Sequence, residues 1–380
     1  MQKSKPLSLR RNFSWTFIGN AVYAACQWGM LVVLAKLGSP EMVGQFTLGL
    51  AVTAPIVMLT NLQLDIVQAT DAKEQYAFSD YLGLRLIGTT IALVAIAMVT
   101  LLVGYRPQTS VVILLIGLAK ALKSVSDIFH SLLQQHERMD RIAVSLMIKG
   151  PLSLLLLALG VYLSGSVVWG VAGLVIAWAV VLVACDIGNV KLLLNRIPRP
   201  RWHVKTLLNI VWLCLPLGFV MMLISLNSNI PRYFIEEYLG ERELGIFAAS
   251  AYLMVAGNMV VHSLGESASP MLAKYYAEGN IIGFRQLLLK LVGLATLIGG
   301  VAILVAQIAG REIFAILYQA EYAEYKNLFV LLMIAGAISY ISSFLGYGMT
   351  AARYFRVQLP LFLAVASTSA LVSMWLLPKL

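Results

Sequence analysis

The chain is predicted to be an all-α polytopic membrane protein, with two parallel helical lobes around a central cavity and about 11 transmembrane helices. Eleven stretches of about twenty mostly apolar residues follow one another between Asn12 and Leu377. The composition agrees: 60% of the 380 residues are hydrophobic, only 12% are charged, and mean hydropathy is +0.83. A run of about 18 or more apolar residues is long enough to cross a hydrocarbon core about 30 Å thick. Runs of this length span as helices, because every backbone polar group must be satisfied within the segment.

The spans fall at about 12–34, 42–62, 82–104, 111–133, 142–163, 167–189, 206–228, 245–265, 286–308, 327–348 and 357–377. The first follows the basic stretch Met1 to Arg11 and is too long for a cleaved signal sequence, so it reads as a retained span. The second opens on Met42-Val43-Gly44. Arg85 enters the third, Lys120, Lys123 and Asp127 sit inside the fourth, and Lys149 sits in the fifth. The sixth precedes the most basic connection, Lys191 to Lys205, which is broken by Pro198 and Pro200. That connection divides the chain into an N-terminal lobe (1–190, spans 1–6), a basic cytoplasmic linker (191–205) and a C-terminal lobe (206–380, spans 7–11). Cys26, Cys185 and Cys214 lie inside apolar runs without metal-ligand spacing and read as small apolar side chains.

Charge sets the orientation. With the N-terminus cytoplasmic, 16 of the 28 lysines and arginines fall in inner segments, 7 in outer segments and 5 within spans. This bias in short loops places the N-terminus inside a cytoplasmic membrane, bacterial or archaeal. The net charge of +10 then serves topology and attraction to anionic lipid rather than nucleic acid.

An internal repeat supports the two lobes. After the first span the chain reads Leu37-Gly38-Ser39-Pro40-Glu41-Met42-Val43-Gly44-Gln45-Phe46; after the seventh it reads Leu239-Gly240-Glu241-Arg242-Glu243-Leu244-Gly245-Ile246-Phe247. Both carry Leu-Gly, an acidic turn, then Gly-x-Phe leading into a span. The first and seventh spans run the same way, so the repeats are parallel, related by an axis along the membrane normal.

These segments, together with Pro270-Met271-Leu272-Ala273-Lys274, Ala277-Glu278-Gly279-Asn280 and Leu317-Tyr318-Gln319-Ala320-Glu321-Tyr322, resemble signatures of polysaccharide transporters. Those are the O-antigen and exopolysaccharide flippases of the multidrug/oligosaccharidyl-lipid/polysaccharide exporter superfamily. Two departures stand out: glycine is usual where Gln319 stands, and the family usually has at least twelve spans. The resemblance therefore implies an unpaired position where a twelfth helix would pack. It also implies alternating access between the lobes, carrying an undecaprenyl-pyrophosphate-linked oligosaccharide from the inner to the outer leaflet. Membrane lipids, a polysaccharide polymerase and chain-length machinery are the implied partners.

A flippase passes sugar and pyrophosphate through the bilayer while the lipid tail stays in hydrocarbon, so it needs a polar, cationic cavity. A charge in a span costs a few kcal/mol unless it faces protein or water, on the order of 3 kcal/mol on insertion scales. Lys120 and Lys123 share a face of the fourth span, Asp127 continues it, and Lys149 lies at comparable depth in the fifth. Three ammonium groups converging there would receive a diphosphate, with Arg85 making the first contact near the cytoplasmic face. Asn20, Gln27 and Asn227 are candidates for sugar contact, and Trp28, Trp178, Trp212 and Tyr252 for stacking. Asp127 is the candidate for ion coupling.

Enzyme chemistry has little support. The four histidines have no second ligand at metal spacing, and no P-loop is present, so no metal and no cofactor is expected. Two alternatives to a flippase stand: a drug or metabolite antiporter of the same superfamily, which needs membrane carboxylates, and a polymerase or ligase, which needs a large outer loop. No outer loop here exceeds about twenty residues.

Overall fold

The computed structural model describes residues 9–69, 71, 75–194, 199–352 and 354–379. Lys3, Lys5, Lys73, Arg196 and Arg353, which enter the charge asymmetry, lie outside the described residues. Among those described there is no strand, and nearly every residue is helical. The helices are α1 (Leu9–Leu37), α2 (Pro40–Asn61), α3 (Leu64–Ala69), α4 (Phe78–Val103), α5 (Pro107–Gln135), α6 (Met139–Ser164), α7 (Val167–Val181) and α8 (Gly188–Leu194). They continue with α9 (Val204–Leu239), α10 (Glu241–Tyr252), α11 (Met254–Ala277), α12 (Ile281–Leu317), α13 (Lys326–Ala351) and α14 (Phe355–Leu376).

Helix ends follow local chemistry rather than hydropathy. Pro40 and Pro107 begin α2 and α5, where a missing N–H costs nothing. The side chains of Ser166 and Asn280 accept the backbone N–H groups of Val168 and Gly283 at the starts of α7 and α12. The helices therefore run past the predicted spans. With 36 and 37 residues, α9 and α12 are about 54–56 Å long, well beyond a hydrocarbon core of about 30 Å.

One predicted span is broken and another is followed by a tight turn. The second ends where predicted, at Leu62; Leu62 and Gln63 are left-handed with φ of 53° and 52°, and the short helix α3 follows. The eighth is split at Leu253 into α10 and α11, which bend by 46°. By length and composition, eight of the described helices qualify to cross a membrane, or nine with that bent pair counted as one. Long enough at 29 residues, α5 carries Lys120, Lys123 and Asp127 in its middle, and it packs among α2, α4 and α7. The predicted count of eleven is thus not recovered by this measure.

Three helix pairings recur in the two halves. In the first, α1 packs on α6, α2 on α5 and α4 on α5; in the second, α9 packs on α14, α11 on α13 and α12 on α13. The halves meet where α2 crosses α10. A methyl group on Gly44 would lie 1.8 Å from the Glu241 carbonyl oxygen, and one on Gly245 would lie 1.8 Å from that of Pro40. The two glycines of the repeat therefore touch each other's helix at equivalent turns. Lipid offers no hydrophobic drive for helix association, so such close backbone packing is what holds spans together.

Polar groups close this seam. Glu241 is 8% exposed, and its carboxylate accepts from Gln45 Nε2 at 2.9 Å and from the Thr109 hydroxyl. As the first residue of α10 it also sits at the positive end of that helix. Arg242 reaches Glu243 at 2.9 Å, Glu41 at 3.9 Å, and Glu321. Half-exposed pairs of this kind contribute about 0–1 kcal/mol each, whereas stripping a buried carboxylate of a partner costs about 1–3 kcal/mol. Glu241 is therefore the stronger tie. Gln319 adds another, because its amide donates to the Lys36 and Gly38 carbonyls at 3.2 and 3.0 Å.

Overpacking this seam is expected to cost about 1–3 kcal/mol. Gly44→Val and Gly245→Val should each lower the thermal unfolding midpoint of the purified protein, and the double variant should lose less than the sum, since both break one contact. Gly300→Val, at a position with open space around it, should stay near wild type. Equal midpoints for all of these variants would contradict the seam.

Candidate functional site in the first half

The fourth predicted span, α5, presents its charged face to a pocket of about 230 Å³ lined by Asp65, Lys123, Asp127, His130, Ser131 and Gln134. Asp65 comes from α3, so the break after α2 is what brings its carboxylate to α5. Lys123 Nζ lies 2.6 Å from Asp127 Oδ2, and both side chains are partly exposed, at 36% and 26%. Lys120, one turn earlier on the same face, is half-buried. Exposure of charge in the middle of a span is affordable only in contact with water. The pocket is therefore an aqueous one.

Arg85 stands behind it. Only 1% exposed, it donates to the Asn61 carbonyl at 3.3 Å and lies 3.8 Å from Asp65, while its Nε and Nη2 have no hydrogen-bond partner. Its Nη2 is the atom that faces the Asp65 carboxylate, and the pocket's own lining does not include Arg85.

Lys149 lies elsewhere. The convergence of three ammonium groups predicted from sequence does not occur: Lys149, 2% exposed, donates to Ser126 Oγ at 2.5 Å and approaches Asp186 Oδ2 at 3.5 Å, inside the α5–α6–α7 bundle. Asp186 is fully buried and accepts from Ser126, Ser145 and His130, the last at 2.9 Å. It lies in a π-helical stretch, Leu182–Ile187, between α7 and α8, where an extra residue per turn re-aims the side chain inward. Trp178, predicted as a stacking platform, is instead core, with its indole N–H donating to Ser153 at 2.8 Å. Sequence reasoning passed over Asp186. The same cost argument that singled out the lysines applies to an acid inside the run Val180-Val181-Leu182-Val183-Ala184-Cys185, and finds it. His130 joins the two sites, lining the pocket with one side and bonding Asp186 with the other.

The remaining candidates are not brought to this pocket. Asn20 and Gln27 lie on α1, exposed and half-buried, with Gln27 Nε2 buried and unpartnered; Asn227 is half-buried on α9. Trp28 and Trp212 are exposed on α1 and α9.

The comparisons with known proteins meet this geometry. A family model described as "Polysaccharide biosynthesis protein" matches residues 9–276, more than half of the chain. The chain belongs to the polysaccharide biosynthesis protein family. It is 28% identical over 376 residues to the capsular polysaccharide biosynthesis protein CapF of Staphylococcus aureus, covering 97% of this chain and 92% of that one. In fold it is similar to an inward-facing multidrug resistance MATE transporter of the MOP superfamily, at a TM-score of 0.63 and 13% identity over 96% of this chain and 98% of that one. A MOP superfamily transporter from Pyrococcus furiosus aligns at a TM-score of 0.52 and 14% identity, covering 96% and 91% of the two chains. The chain is thus a multi-pass membrane protein, similar in fold to MATE transporters.

The buried pair gives a test of stability. Removing one partner of a buried ion pair costs about 3–5 kcal/mol, because the other charge is left uncompensated. Lys149→Met should sharply lower membrane abundance and thermal stability, and Lys149→Met with Asp186→Leu should recover much of the loss. Normal stability of the single variant would contradict the network.

Proposed function

We propose that the protein is a flippase moving an undecaprenyl-pyrophosphate-linked oligosaccharide from the inner to the outer leaflet of the cytoplasmic membrane, for capsule, O-antigen or exopolysaccharide synthesis. The observation that carries the reading is Lys123 at mid-span on the wall of an aqueous pocket, with Lys120 one turn earlier on the same helix, in a chain of the polysaccharide biosynthesis protein family. A diphosphate needs positive charge within the bilayer, and few other ligands justify its cost. In this reading residues 1–190 and 206–380 act as two lobes, with the N-terminus cytoplasmic and the seam at the outer face. A polymerase would take up the delivered repeat units.

The Lys123–Asp127 ion pair supports a coupling step. A diphosphate that takes Lys123 frees the Asp127 carboxylate, and a freed carboxylate in a span gains from protonation. Substrate occupancy and proton uptake are linked in this way, with no ATP-binding motif required.

Charge removal separates this reading from its rivals. Lys120→Ala should abolish complementation of a flippase-null strain at unchanged membrane abundance, whereas Lys120→Arg should retain part of it, since charge matters before shape. Full complementation by Lys120→Ala would overturn the proposal. For coupling, Asp127→Asn should leave a correctly inserted protein whose transport no longer responds to a proton gradient. A response equal to wild type would remove Asp127 from that role.

A further inference from the structure

The second half contains a pocket that the cationic site does not use. It measures about 430 Å³, lies between α11 and α13, and is lined by Val255, Asn258, Met259, His262, Ser343 and Tyr347 among others. This volume falls in the range of about 300–1,000 Å³ usual for small-molecule sites.

The first pocket lies between α5 and α3, the second between the helix pair α13 and α11. The second is closer to the seam along its helix: its α11 lining runs from Val255 to His262, 10 to 17 residues beyond Gly245, whereas Asp65 stands 21 beyond Gly44. The two pockets are built from different chemistry. Where the first holds a lysine and two carboxylates, the second holds a tyrosine, a histidine, an amide and a hydroxyl.

The polar groups are held in place by one another. Gly265 lets the Tyr347 ring lie against α11, since a methyl group there would meet Tyr347 Cε2 at 2.2 Å. From that position the Tyr347 hydroxyl bonds His262 Nδ1, and His262 Nε2 lies 3.3 Å from Glu266. The imidazole thus sits between the Tyr347 hydroxyl and the Glu266 carboxylate. His262 and Glu266 are 67% and 66% exposed in the body of an apolar helix, which lipid would not tolerate. They face water. The Asn258 amide is exposed and has no hydrogen-bond partner among the described residues. Val255 and Met259 supply an apolar wall beside it.

We infer that this pocket is the saccharide subsite, receiving the first sugar rings of the lipid-linked substrate while the α5 lysines hold its diphosphate. A sugar ring has hydroxyls that both donate and accept, and a C–H face that packs on apolar or aromatic surface. Amide, hydroxyl, phenol and imidazole groups above an apolar wall match both demands, and the pocket has no lysine or arginine among its lining residues. This assignment rests on the flippase reading.

The test uses full-length protein in lipid nanodiscs and two probes: lipid-linked oligosaccharide extracted from the producing cells, and undecaprenyl pyrophosphate without sugar. Asn258→Ala and Tyr347→Phe, the second keeping the ring and its packing, should weaken binding of the sugar-bearing probe about tenfold and leave the bare carrier unchanged. Lys120→Ala should weaken both. Equal losses on both probes, or no loss, for the Asn258 and Tyr347 variants would overturn the subsite while leaving the flippase reading intact. Failure of the wild type to bind either probe would overturn that reading and this assignment with it.

Discussion

Where α2 crosses α10, two helices approach until peptide groups touch, and only glycine at positions 44 and 245 permits it. The contact is reciprocal, each glycine seated on a carbonyl one turn before the other. It fixes the spacing of the halves at one end of the molecule. Because α2 also packs on α4, α5 and α9, the same helix carries the seam and frames the charged pocket. Beyond the bend at Leu253, α11 turns away and packs on α12 and α13. The halves touch through this crossing at the end bearing the acidic turns and also along α2 and α9, where Gly218 faces Leu59; the two polar pockets lie past the end of α2 and past the bend at Leu253.

Ionic groups inside these helices divide into two kinds. Lys149 and Asp186 are fully enclosed and satisfied by Ser126, Ser145 and His130, which makes them part of the bundle's architecture. Lys123, Asp127, His262 and Glu266 are paired yet partly open to water. The first kind is costly to break and has no room for a ligand. The second kind can exchange its partner for one, and this is the property that transport requires.

Much of this was legible in the sequence. Apolar runs located the helices because lipid imposes length and composition together, and the Leu-Gly to Gly-x-Phe repeat marked the two segments that meet at the seam. That they meet each other was not legible, since a repeat says which turns are equivalent and not which are in contact. The end of the second span at Leu62 was legible, but the bend at Leu253 was missed because it carries neither proline nor glycine. Lys149 was placed in the wrong company for a related reason. A span that is apolar on all sides gives no periodicity from which to read the direction of a single charge, so depth was predictable and facing was not. Gln319 departs from the family's glycine, and its amide is used to tie the turn after α1.

In the proposed flippase the seam closes one end of the molecule and opens as substrate crosses. Spin labels at Leu102 and Ile316, exposed near the acidic-turn end, and at Leu192 and Ile282, exposed near the other, report the two ends separately. Pulsed dipolar distance measurements in nanodiscs, with and without lipid-linked oligosaccharide, should give opposite changes: the first distance lengthens as the second shortens. A first distance that stays fixed under every condition would contradict the account.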